Sequence, residues 1–303
     1  MNTISPVHAL WAAVLITGVY PVAGKFAVGI ISPSLLLLCS TALAVLFFAP
    51  WITKHKYWGV FFRKDTFLPF CMIGLLSNAL AFLFMLIALQ YTTPANAAIL
   101  NQTEVIYSLI LSMIFLRERP TGKQLLGTAM VISGVVIILL GESFSLRWKG
   151  DLIVISTVWM FQLSHVFAKK LPAHLPPQVI TAGRCIFAFA WSLPIAFILS
   201  RFSFDVSTFV PGWKLLAILL YMGVINYAIG NALWYRAIRN MDLSKATAVI
   251  LSYPVITYLI SVFAGMDTLN LSQIAGLVLA LSGAYLVTHI IKKGNNKNEI
   301  GVI

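Results

Sequence analysis

The chain has 303 residues, of which 21 are Lys or Arg and only 9 are Asp or Glu, while 60% are hydrophobic. A soluble domain carries about a quarter charged residues; the 10% found here is too little to coat a water-soluble globule. The net charge of +12 therefore belongs to an integral membrane protein and is not a footprint for nucleic acid.

Ten segments reach the roughly 20 mostly apolar residues that a helix needs to cross a bilayer core. They are 7–28, 33–53, 67–90, 94–116, 124–141, 151–170, 177–200, 214–238, 244–265 and 271–291. No Lys or Arg precedes the first, so it is expected to stay as a span and not to be cleaved as a signal peptide. Connections are short and marked by Pro, as at Thr92-Thr93-Pro94 and Leu171-Pro172. Between the second and third segments, Tyr57, Trp58, Phe61 and Phe62 lie among basic residues and read as an interfacial stretch. Cys39, Cys71 and Cys185 fall inside apolar runs, and no Cys/His spacing suits a metal. Residues 292–303 are polar and read as a disordered cytoplasmic tail.

Lys and Arg near helix ends stay on the cytoplasmic side. With the N-terminus inside, fifteen basic residues fall on the cytoplasmic side, among them Lys54, Arg63, Lys123, Lys170, Arg239 and Lys292. Arg147, Lys149, Arg201 and Lys214 fall on the other side, with Lys25 and Arg184 unassigned. Both termini are expected in the cytoplasm of a cell whose plasma (inner) membrane holds the chain.

Shifting the sequence by 149 residues places Gly74 on Gly223, Ala88 on Ala237, Ala97 on Ala246 and Ser112 on Ser261. The same shift pairs Glu118 with Asp267, Gln124 with Gln273, Gly127 with Gly276, and Ser133-Gly134 with Ser282-Gly283. The first segment aligns with the sixth at an offset of 144, pairing Val22 with Val166 and Lys25 with Lys169. The expected organisation is thus a five-helix repeat over 1–145, a second over 146–291, and the tail. Five is odd, so the second repeat enters the membrane inverted. That architecture places a substrate site between the halves near the midplane. The fold class expected is all-α, with ten transmembrane helices in two inverted five-helix repeats.

The run Leu116-Arg-Glu118-Arg-Pro-Thr-Gly-Lys-Gln124-Leu-Leu-Gly127, followed by Ser133-Gly134-Val-Val, resembles the fourth-to-fifth helix junction of EamA-type members of the drug/metabolite transporter superfamily. Gly150-Asp151-Leu152, leading to Trp159 and Lys169, is similar to the start of that family's second repeat. The resemblance covers essentially the whole chain. It implies a ten-helix carrier that moves small metabolites, often outward, through a cavity built by helices 1, 3, 4, 6, 8 and 9, with helices 5 and 10 peripheral. Thr17-Gly18 stands where the family often has Trp-Gly, and Met266-Asp267 where Gly-Glu is usual.

Eight of the nine acidic residues lie in loops, at helix ends or in the tail; the ninth is Glu104. Ten residues into its segment, at 1.5 Å per residue, it lies roughly 15 Å deep, near the midplane. An intramembrane acid is a functional candidate by default. Asn101, Glu104 and Ser108 share one helical face, flanked by Gln102 and Tyr107, and such a polar stripe must face protein or water. Glu104 is expected to bind a cationic or amine-bearing substrate, a proton, or each in turn; the alternative is a structural pair with a buried base. Arg184, roughly 10 Å deep in the seventh segment, is read first as structural, with anion binding as its alternative. Lys25 and Lys169 read as interfacial anchors. Mid-span His165 is a proton relay, a substrate contact, or a neutral hydrogen-bonded group. Ser77 and Asn78 in the third segment, with Asn226, Tyr227, Asn231 and Trp234 in the eighth, either line a wet cavity or bond between helices. Tyr253-Pro254 is the repeat counterpart of Glu104-Val105.

These residues predict a secondary transporter, an exporter of small polar or amphipathic metabolites such as amino acids, working by alternating access and proton-coupled through Glu104. Multidrug or cation efflux is the alternative. An intramembrane enzyme on lipid-linked substrates is disfavoured, since no second carboxylate accompanies Glu104, and a receptor would need no wet cavity. No cofactor and no phosphate-binding loop is expected. The partners are a small-molecule substrate and the lipid bilayer, and both monomer and homodimer stay open.

Overall fold

The computed structural model describes residues 4–116, 121–140, 147–201, 210–250, 252–266 and 271–299. Glu118 and Asp267 of the repeat, and Arg117-Glu-Arg-Pro120 of the junction motif, lie outside the described residues, as do 300–303 of the expected tail.

The described chain is helical. In chain order the helices are α1 (Pro6–Ala27), α2 (Pro33–Lys54), α3 (Phe67–Tyr91), α4 (Pro94–Leu116), α5 (Gly122–Leu140) and α6 (Trp148–Lys170). They continue with α7 (Pro177–Arg201), α8 (Trp213–Ile238), α9 (Leu243–Ile250), α10 (Tyr253–Phe263) and α11 (Leu271–Glu299). Seven of them, α1 to α4 and α6 to α8, are long and apolar enough to cross a membrane, and shorter apolar helices occur within α5, α10 and α11. The protein is a multi-pass membrane protein. The segment 244–265, expected as one helix, is divided between α9 and α10, and helix continues over 292–299.

Several starts are fixed by proline in the first turn, where its missing N–H costs nothing; Pro6, Pro33, Pro94 and Pro177 all sit there. Ser5 Oγ accepts from His8 N at 3.3 Å, and Thr93 Oγ1 accepts from Asn96 N at 3.1 Å, each satisfying an orphan amide. Large apolar side chains such as Trp11, Leu46, Phe197, Leu216 and Phe263 point outward. In water that surface would drive aggregation, whereas against lipid it is the solvated side.

Two long helices are locally underwound. π-Helical turns occupy Gly74–Phe82 of α3 and Tyr221–Gly230 of α8. Shifting the first by 149 gives 223–231, so the two irregularities stand at matching places. A 3₁₀ turn at Asn101–Thr103 interrupts the α-helical pattern of α4, and the same shift carries it to 250–252, where α9 gives way to α10. Packing repeats as well. Gly74 lets α3 touch α7, where an added Cβ would stand 2.5 Å from Phe187 Cβ. Its counterpart Gly223 lets α8 touch α2, 2.8 Å from Ser40 O. Among the described residues, the most extensive helix pair joins α5 to α11.

Pro21 inside α1 has no N–H to give to Thr17 O one turn earlier, which loosens the helix there. Around Pro21, Tyr221 Oη donates to Ile16 O at 2.6 Å and Thr257 Oγ1 donates to Gly18 O at 2.7 Å. Side chains of α8 and α10 thereby tie this stretch of α1 to the bundle.

Candidate functional site

A cavity of ≈ 110 Å³ lies where α1, α3, α4, α6, α7, α8, α9 and α10 meet. Its lining residues recur at the same spacings as the sequence matches. A shift of 144 relates Thr17 to Phe161 and Pro21 to His165; a shift of 149 relates Phe82 to Asn231, Met85 to Trp234, Asn101 to Ile250 and Glu104 to Tyr253. In all of these pairs but Met85/Trp234, a polar or charged group at one position matches a non-polar or aromatic one at its counterpart.

Glu104 is 7% exposed and opens onto this cavity. Asn101 Nδ2 donates to its Oε2 at 3.0 Å, and Gln162 Nε2 of α6 donates to its Oε1. Two carboxamides therefore hold the carboxylate, and their own oxygens, Asn101 Oδ1 and Gln162 Oε1, are buried without a hydrogen-bond partner. The result is two orphan acceptors beside the acid.

Arg184 is 1% exposed, the largest fully buried side chain among the described residues, and it also lines the cavity. Its Nε donates to Asn78 Oδ1 at 2.7 Å, and its Nη1 donates to Asn231 Oδ1 at 2.6 Å and to Tyr235 Oη at 3.4 Å. Its Cζ lies 5.6 Å from the Phe82 ring centre and 5.8 Å from that of Tyr235, within cation–π range. The two π-helical turns make this possible, because they carry Asn78 in α3 and present Asn231 just past the end of the turn in α8. Neither Arg184 nor Glu104 forms an ion pair with a described residue; the buried-base alternative for Glu104 is not what the structure holds.

Trp234 Nε1 donates to His165 Nδ1 at 3.3 Å. An indole N–H only donates, so Nδ1 of the imidazole accepts and a proton on the ring sits at Nε2. His165 also lines the cavity, and its ring stands edge-on to Tyr235 at 6.2 Å.

Of the candidate residues, Glu104, Asn101, His165, Arg184, Asn226, Asn231, Trp234 and Tyr253 all line this one cavity. Asn78 stands behind it, holding Arg184. Tyr107 is half-buried on α4 away from the lining. Ser77 bonds back to Ile73 O at 2.5 Å within α3. Ser108 meets Thr247 Oγ1 of α9 at 3.3 Å and thus holds helices together. Lys25 Nζ caps the end of α3, donating to Leu89 O at 2.6 Å and to Thr92 O at 3.0 Å. Sequence reasoning missed Gln162, Tyr20, Phe82 and Phe161. Gln162 was findable, since a shift of 144 places it on Gly18 near Pro21; the aromatics carry no signal in a chain rich in them.

The model of the EamA-like transporter family matches residues 5–140 and again 148–289. The chain belongs to that family. This EamA-like protein is 25% identical over 295 residues to the uncharacterized transporter YyaM of Bacillus subtilis, covering 92% of both chains. It is 27% identical to the uncharacterized transporter YetK of the same organism, over 94% of this chain and 86% of that one. A probable amino-acid metabolite efflux pump of Salmonella typhimurium shares 23% identity over 75% of this chain and 80% of its own. A solved crystal structure superposes with a TM-score of 0.71 at 19% identity, over 94% of this chain and 96% of that one, which shows a shared fold. The family is one of transporters, not enzymes, and its members act on small molecules across a lipid bilayer.

Proposed function

We propose that the protein is a secondary carrier of small polar or amphipathic metabolites, amino acids among them, exporting them by alternating access between two inverted five-helix halves. In this reading α9 and α10 together form the ninth span, α5 the fifth and α11 the tenth, with both termini cytoplasmic. The repeated π turns, the repeated helix interruption and the lining residues at matching spacings support the two-half organisation. The observation that carries the function is the central cavity with a buried acid and a buried base that do not pair with each other. Uncompensated intramembrane charge is costly, and a site that retains two such charges is built to receive a charged ligand.

Glu104 is the group assigned to coupling. A carboxyl that alternates between proton and substrate exchanges one for the other as the halves rock. Multidrug or cation efflux is the second reading, favoured by the aromatic walls that Tyr20, Phe82 and Trp234 give the cavity; Arg184 on the same cavity weighs against it. Flux into proteoliposomes, with amino acids, amines and phosphorylated metabolites offered with and without a pH gradient, tests the reading. Saturable flux of at least one compound, accelerated by the gradient and lost from that dependence in Glu104→Gln, is the expected result. Absence of saturable flux for every compound would overturn it.

A further inference from the structure

The polar atoms left without partners around the cavity are segregated by kind. At Glu104 they are acceptors, Asn101 Oδ1 and Gln162 Oε1, beside a carboxylate whose two oxygens each accept one bond and keep further lone pairs. At Arg184 they are donors. Nε and Nη1 are engaged by Asn78, Asn231 and Tyr235, which leaves the N–H groups of Nη2. Asn78 Nδ2 behind it is buried and unpartnered, and the Trp234 bond to Nδ1 turns the Nε2–H of His165 into a further donor. The acceptor cluster is centred on α4, and the donor cluster on α6 and α7 with Asn78 of α3 behind it. The two meet on α6, where Gln162 serves the first and His165, one turn later, serves the second. Neighbours at that spacing have Cβ atoms about 5–6 Å apart.

We infer that the cavity is a two-subsite receptor for a small zwitterion: Glu104, Asn101 and Gln162 take the ammonium, while Arg184 and His165 take the carboxylate. This rests on the carrier reading above and adds the chemical class of its substrate. The electrostatic reason is symmetrical. A simple amine would neutralise Glu104 but leave Arg184 buried and repelling it; a simple carboxylate would do the reverse. Only a ligand bearing both charges compensates both poles, and the buried setting makes each omission expensive. A guanidinium takes a carboxylate with two parallel bonds, and an ammonium has three donors for the three acceptor groups around Glu104. The Phe82 ring, beneath Arg184 and edge-on to Phe161 at 5.0 Å, offers an apolar wall to the ligand's side chain.

The test uses matched triads at three side-chain sizes: alanine, leucine and phenylalanine, each beside the amine lacking its carboxylate and the acid lacking its amine. Binding is measured by calorimetry on the full chain in nanodiscs, and flux in proteoliposomes. In at least one triad the zwitterion should bind tenfold or more tightly than either singly charged analogue. Glu104→Gln should bring the deaminated acid to within about threefold of the zwitterion, and Arg184→Met should do the same for the amine. If Arg184→Met does not fold, His165→Phe carries the second arm, with a smaller gain for the amine. An amine or an acid that binds as tightly as its zwitterion in every triad, or no binding by any zwitterion, overturns the inference. Selective zwitterion binding without flux would leave these subsites standing and sink the carrier reading; saturable flux of singly charged compounds alone would do the opposite.

Discussion

Thr92 Oγ1 donates to Asp151 Oδ1 at 2.7 Å, joining the end of α3 to the first turn of α6. Asp151 Oδ2 accepts from Arg147 N at 2.9 Å, and the Thr92 carbonyl accepts from Lys25 of α1 at 3.0 Å. One threonine therefore ties three of the cavity-forming helices together at one end of the bundle. Gly150 permits the approach, since a Cβ there would stand 2.9 Å from Ala88 O. Thr92→Val keeps the shape and removes the hydroxyl, leaving a buried carboxylate short of a donor. A loss of about 1–3 kcal/mol is expected, read as a lower midpoint of thermal unfolding in detergent, with Thr92→Ser restoring most of it.

The α5–α11 seam is set by backbone-to-backbone approach. An added Cβ at Gly134 would lie 2.4 Å from Gly276 O, and one at Gly283 would lie 2.5 Å from Gly127 O. Because the obstacle is backbone, no side chain can move aside. Gly134→Ala and Gly283→Ala should each destabilise by about 1–3 kcal/mol through overpacking, visible as a lowered unfolding midpoint. Gly122→Ala meets open space and serves as the control.

Arg239, just past α8, caps the end of α6: Nη1 donates to Leu171 O at 2.9 Å and Nη2 to Pro172 O at 2.5 Å. Burial lowers its pKa from the ordinary arginine range, yet the group stays cationic at neutral pH. Lysine is a point charge and cannot span both carbonyls. Arg239→Lys should therefore keep the charge but lose about 1 kcal/mol, and Arg239→Gln should lose more; unfolding midpoints separate the three proteins.

Glu104→Gln is nearly isosteric and keeps a group able to bond Asn101 and Gln162. Folding should survive within about 1 kcal/mol, whereas uptake of a transported zwitterion should fall at least tenfold. Equal transport by the variant and the parent would remove Glu104 from the mechanism.

The orientation expected from the basic residues has its own test. A fluorescent protein fused at the C-terminus should fold and fluoresce in the cytoplasm, and a periplasmic phosphatase fused there should be inactive. The reverse pattern would invert the topology.

Composition alone required a membrane protein, because 10% charged residues cannot solvate a chain of this size. Glu104 stood out for the same reason: an acid at the midplane is costly enough to be rare, so its presence is a signal in one dimension. The paired glycines of α5 and α11 were legible as a repeat, since small residues at fixed spacing are a local property. What surrounds Glu104 was not legible. Gln162 lies 58 residues away on another helix, and its amide reads like any other polar residue. The role of Arg184 was likewise a tertiary matter. The same guanidinium would have been a snorkelling anchor, a partner for Glu104 or a cavity wall, depending on where Asn78, Asn231 and Tyr235 arrived. The π-helical turns that bring Asn78 and Asn231 to it have no sequence signature, because they arise from how helices pack. Sequence determined the solvent, the membrane-crossing character of the chain and the one improbable charge; only the folded bundle decided which groups surround each buried charge, since that depends on distances between helices that no linear pattern encodes.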